Sequence, residues 1–162
     1  MTVIEHLQQY FMDFPRLQGE RLDIDCLRSS PGSYSIDSEP NESVSQRYLD
    51  GSTVRRFLFT ISGRMYYGAD LANQADNLAF FEELEAWLSK KELFLDLPDL
   101  GEKRTARSLE VLSSAYPFIV DENEGLARYQ IQMRLHRRVK DAARYSANIR
   151  LPRPHCSLEM TR

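Results

Sequence analysis

The chain has 162 residues, 42% of them hydrophobic and 28% charged, with seven Gly and seven Pro. These values fit one globular domain and exclude a fibrous or low-complexity chain. The net charge of −3 conceals an asymmetry: residues 1–125 hold 12 Lys/Arg against 22 Asp/Glu (−10), and residues 126–162 hold 9 against 2 (+7).

Thr2, with Glu5 three positions on, forms a capping-box pattern ahead of Val3, Ile4, Leu7, Tyr10, Phe11 and Phe14. That spacing predicts an amphipathic helix over 2–13, stopped by Pro15. Leu22, Ile24 and Cys26 alternate with polar residues and predict a half-buried strand over 21–27. After the Ser29–Ser33 turn cluster, Tyr34 and Ile36 suggest a short strand, and the polar run 37–43 reads as a loop. Val44, Gln46 and Tyr48 begin a strand that meets Asp50-Gly51, a strong hairpin signal, and the return strand covers 53–65.

Leu71, Ala75, Leu78, Phe81, Leu84 and Leu88 recur at helical steps, with Phe80 and Trp87 widening the stripe. They predict a helix centred on 77–91, capped by Asp70 or Asn77 and closed by Lys90-Lys91, with its aromatics in the core. Strands are expected over 107–113 and 116–120, followed by an acidic turn at 121–125. The last strand alternates strictly: Ala127, Tyr129, Ile131, Met133 and Leu135 on one face, Arg128, Gln130, Gln132, Arg134 and His136 on the other. One face belongs to the core; the other is solvated or an interface. Two helices among runs of strands indicate an α+β fold, with helices packed on a mixed or antiparallel sheet.

Motifs that carry chemistry are missing. His6, His136 and His155 have no metal-ligand spacing, and no nucleotide-binding Gly-rich loop or Gly-x-Ser-x-Gly elbow occurs. Asp23 and Asp25 share a strand face, but no nucleophile accompanies them and they read as solvated carboxylates. Neither catalysis nor a cofactor is expected. No apolar run approaches the ~18 residues of a membrane span, and residues 1–6 lack signal-peptide character. Cys26 and Cys156 make no C-x-x-C pair and read as reduced thiols of a cytosolic product.

Residues 47–59, Arg-Tyr-Leu-Asp-Gly-Ser-Thr-Val-Arg-Arg-Phe-Leu-Phe, resemble the central signature of a family of bacteriophage minor capsid proteins. Tyr66-Tyr67-Gly68-Ala69-Asp70, Phe80-Phe81-Glu82-Glu83-Leu84 with Trp87-Leu88, residues 109–116 and residues 127–135 continue the resemblance. It covers about residues 1–137, leaving 138–162 as a basic C-terminal extension. The family is similar in place and size to tail terminator (tail-completion) proteins of long-tailed phages.

The resemblance implies a single-domain α+β subunit of a hexameric ring at the neck of the virion. Such a ring caps the tail tube, stops its growth and meets the head–tail connector. DNA passes its lumen without sequence-specific contact, and no membrane is involved. The alternative is another neck or connector subunit, or a tail assembly protein. Ring contacts are expected on Arg128, Gln130, Gln132, Arg134 and His136, and charge reversal at Arg128 and Arg134 should weaken assembly and spare the fold. Lys140, Arg144, Arg150 and Arg153 are candidates for a partner-binding arm. Tyr145 is the only aromatic residue after His136, too few to stack on single-stranded nucleic acid.

Overall fold

The computed structural model describes residues 1–68 and 71–140. They form one mixed α+β domain: a seven-stranded sheet with two α-helices. In chain order these are α1 (Val3–Phe11), a 3-10 turn (Pro15–Leu17), β1 (Leu22–Ile24), β2 (Ser33–Glu39), β3 (Val44–Arg47), β4 (Thr53–Tyr66), α2 (Leu71–Leu93), β5 (Arg104–Val111), β6 (Tyr116–Asp121) and β7 (Leu126–Val139).

The expected capping box forms: the Glu5 N–H donates to Thr2 Oγ1 at 3.4 Å, and Glu5 accepts from the Thr2 N–H. Val3, Leu7, Tyr10 and Phe11 are the buried face of α1. The spine of the sheet is the antiparallel pair β4–β7, in register from Thr53↔Val139 to Tyr66↔Leu126. On its outer sides β4 pairs β2 and β3, while β7 pairs β5 and β6; β1 adds a short parallel pairing to β2. The sheet is therefore mixed.

Both helices lie on the face of Phe59, Ile61, Ile131 and Met133, all fully buried. Phe11 of α1 meets Phe59 at 5.9 Å between ring centroids, and Phe81 of α2 meets Tyr129 at 6.3 Å. Tyr34 stacks on Phe80 at 4.9 Å and lies directly over Gly63, where a Cβ would come within 3.2 Å of its ring. Gly63 is thus the space that lets β2 present an aromatic ring to α2.

Several boundaries differ from the sequence expectation. β1 ends at Ile24 because Asp25 takes a left-handed backbone (φ 49°), so Cys26 leaves the alternation and is exposed. β2 runs through Asp37–Glu39, which read as loop because its side chains there are polar. α2 begins at Leu71, a turn and a half before Asn77; Asn77 instead donates to the Tyr66 carbonyl at 2.7 Å, and Asp70 lies outside the described residues. β5 spans 104–111 rather than 107–113. β7 continues to Val139, so the expected limit at residue 137 falls inside a strand.

Candidate functional site

The sheet face turned away from the helices carries Arg128, Gln130, Gln132, Arg134 and His136, as the alternation predicts, but it is not simply wet. Ser35, Thr60 and Ser62 are fully buried there and Gln130 is only 5% exposed, because longer side chains cross over them. Asp37 on β2 is opposite Thr60 in register. Its Oδ2 accepts from Ser35 Oγ at 2.9 Å, Ser62 Oγ at 3.2 Å and Arg128 Nη2 at 3.0 Å. One carboxylate thereby ties β2, β4 and β7 together. Arg128 also donates to Ser62 Oγ at 3.1 Å and lies 5.6 Å from the Phe118 ring centroid.

Further along β7, Gln130 Nε2 donates to the Tyr116 hydroxyl at 2.6 Å. Arg134 donates twice to Glu110 Oε2, at 2.9 and 3.2 Å, and His136 Nε2 lies 3.5 Å from Glu110 Oε1. The Arg134 hydrogen bonds hold the Glu110 carboxyl below the ordinary glutamate range; partial burial opposes this, and the His136 and Arg134 charges add to it. So Arg128, Gln130, Arg134 and His136 each have a contact within the chain, which sequence order could not show because it does not give cross-strand partners. Asp37, Glu110 and Tyr116 are the members of this face that the sequence reading missed.

The two ends of the β4–β7 spine differ in charge. Arg47, Lys103, Arg104, Arg137, Arg138 and Lys140 gather where Thr53, Val139 and Arg104 align. Arg137 lies 5.8 Å from the Phe57 ring centroid, and burial, then the neighbouring Arg104 and Arg55 charges, push its guanidinium below the ordinary arginine value. Arg138 donates to Asp50 at 2.8 Å and lies 5.3 Å from the Tyr48 ring centroid, holding the β3–β4 hairpin tip. The opposite end carries the acidic β6–β7 turn with Asp121, Glu122 and Glu124. Lys140, the first arm candidate, is at the basic end, where its N–H donates to the Lys103 carbonyl at 3.0 Å; Arg144, Arg150 and Arg153 lie outside the described residues.

The Asp23–Asp25 pair dissolves into structural roles. Asp23 is bracketed by Arg21 (2.6 Å) and Arg28 (2.9 Å), and Asp25 accepts from the Ser38 N–H at 2.7 Å. Among the described residues no group of three or more His, Cys, Asp or Glu is placed to hold a metal ion, and no helix is long and apolar enough to cross a membrane. Among the described residues, exposed apolar side chains include Leu49 at the hairpin tip, Leu93–Leu95 at the end of α2, Phe118–Val120 on β6, and Met1, Tyr66, Leu78 and Leu112 singly.

Fold and surface together define a two-layer α+β domain with a cross-linked polar sheet face, a basic cluster at one end of the spine and an acidic turn at the other. No protein-family model matches the chain, and no curated protein matches it.

Proposed function

We propose that this chain is a structural protein of a tailed-phage virion: a tail terminator that forms a ring, hexameric by the resemblance above, on the end of the tail tube. The observation that carries the reading is where the resembling motifs lie. Residues 47–59 cover the β3–β4 hairpin, 80–88 the packed segment of α2, 109–116 the end of β5 and the start of β6, and 127–135 most of β7. They are thus the spine, its covering helix and its flanking strands, which are the parts that set a subunit's shape.

The role makes and breaks no bond. A tube is an open stack whose last ring always exposes a surface for the next, so termination needs a subunit that matches the tube below and offers a different surface above. A head-to-tail ring has two unlike faces, since rotation about its axis never exchanges them. It ends growth by binding the finished tube better than another tube ring does. Its partners are copies of itself, the major tail tube protein and the head–tail connector, with DNA passing through the lumen. The unlike charge of the two sheet ends and the basic sequence of residues 138–162 suit contacts of this kind.

Deleting the gene from the phage should give full heads without tails, together with tubes of uncontrolled length. Tails of normal length that fail to attach would point to a head-side connector, and infectious particles lacking the protein would overturn the structural role.

A further inference from the structure

Leu49 is 104% exposed, on a turn that is otherwise held from every side. The Tyr48 N–H donates to the Ser52 carbonyl at 2.9 Å and the Gly51 N–H to the Tyr48 carbonyl at 3.1 Å. Asp50 accepts from the Ser52 N–H and hydroxyl at 2.9 and 2.6 Å, and from Arg138. The turn uses Asp50 for these bonds and Gly51 for its left-handed backbone (φ 82°). Nothing in it requires leucine at 49. The result is an aliphatic knob on a rigid mount, which loses little freedom when it is buried.

At the other end of the spine, Ile119, Leu126 and Ala127 wall a cavity of about 60 Å³ rimmed by Arg64, Asp121 and Arg128. That is room for about two waters, or for the end of one branched aliphatic side chain. Beside it, Phe118 and Ile119 are each 53% exposed and Val120 38%. They lie on β6, which pairs with β7 alone among the described strands. Edge strands are usually blunted by charge or proline; here Pro117 is followed by three exposed apolar residues.

We propose that the hairpin tip of one copy docks on the β6 end of the next, with Leu49 entering the Ile119–Leu126–Ala127 cavity. The contact rests on the reading of this chain as a self-assembling subunit and names the surfaces that join. Knob and cavity are at opposite ends of a 14-residue strand, about 40 Å apart at strand rise, so no copy can fill its own cavity. Docked so, Arg47, Lys103, Arg104 and Lys140 near the tip face the acidic Asp121–Glu124 turn near the cavity. Of the cations at the cavity, Arg128 is paired with Asp37 and Arg64 lies on the rim, while Asp50 of the tip is paired with Arg138. Because the joined surfaces are unlike, the contact propagates from copy to copy and closes into a ring when the rotation allows.

The test is directed cross-linking in a Cys26→Ser, Cys156→Ser background. Oxidising a mixture of Leu49→Cys and Ile119→Cys proteins should give a mixed dimer that neither gives alone, and a chain carrying both cysteines should give a ladder of higher species. Leu49→Asp should weaken self-association by about tenfold or more, with an unchanged thermal midpoint at concentrations where both proteins are monomeric, because the side chain is solvated in the monomer. An assembly that persists in Leu49→Asp and yields no mixed dimer overturns this contact while leaving the ring intact. A wild-type chain that stays monomeric to its solubility limit, with no mixed dimer, overturns both.

Discussion

Asp37→Ala should be among the more damaging single changes on the polar face. The carboxylate accepts from two fully buried serines and from Arg128, whose side chain is 26% exposed. A hydrogen bond to a charged group contributes about 1.5–3 kcal/mol. Three such bonds do not sum, since Ser62 keeps its bond from Arg128 and the guanidinium can turn partly toward water. A net loss of about 2–4 kcal/mol follows once exposure is discounted. Urea unfolding at neutral pH reads it directly, with Asp37→Asn losing about half as much because its amide oxygen keeps one acceptor in place. A double-mutant cycle with Arg128→Ala should give a coupling of about 1–2 kcal/mol. A loss below about 1 kcal/mol for Asp37→Ala, or additivity within ~0.5 kcal/mol, would refute the role given to this carboxylate. The same geometry revises the expectation that charge reversal on β7 spares the fold. Arg128→Glu would set a carboxylate against Asp37, and Arg134→Glu would do so against Glu110, so assembly is better probed at Leu49.

Phe81→Ala, at a side chain 1% exposed between α2 and Tyr129, should cost about 3–5 kcal/mol by urea or thermal unfolding. Leu95 occupies the left-handed position (φ 55°) that ends α2, with its N–H on the Glu92 carbonyl and the Asp96 N–H on the Lys91 carbonyl, and it is 80% exposed. Leu95→Gly should therefore raise stability by about 0.5–1 kcal/mol, read as a higher urea midpoint. Glu110 titrates below an ordinary glutamate in the fold, so its contribution is present above the ordinary glutamate pKa and is lost as pH falls through the lowered value. Glu110→Gln should be less stable than wild type at neutral pH, and the gap should close in acid.

The sequence was most readable where one face of an element is apolar and the other polar. β7 was legible across Ala127–His136 for that reason, and α1 because its cap and its stripe agree. The helical spacing reaches back to Leu71 and Ala75, but a possible cap at Asn77 centres the expected helix on 77–91; Ala72, Asn73, Ala75 and Asp76 are exposed, so the buried stripe is weak in those turns. Asp37 escaped because a polar residue on a polar sheet face resembles a loop residue until its partners, 25 and 91 positions away, are known. Cys26 misled because a single left-handed residue before it ended the strand. For Leu49 the signal was present, an aliphatic residue beside Asp-Gly in a turn, but only its full exposure shows that the domain makes no use of it.

β5 and β6 pair with nothing in the sheet except β7, which follows both of them in the chain. During synthesis, which proceeds from the N-terminus, strands β1 to β4 can all be paired with one another once β4 has emerged. β5 and β6 emerge with none, and the inner edge of β4 stays open beside them. A chain halted at Gly125 would lack three of the seven strands rather than one, because β7 takes the pairing of the other two with it. Completion of the sheet then brings residues 53–66 against 126–139 in one long-range step, the kind of closure that makes folding slow. Until that step the nascent chain presents an unpaired β4 edge, a template on which a strand of another chain can pair wrongly.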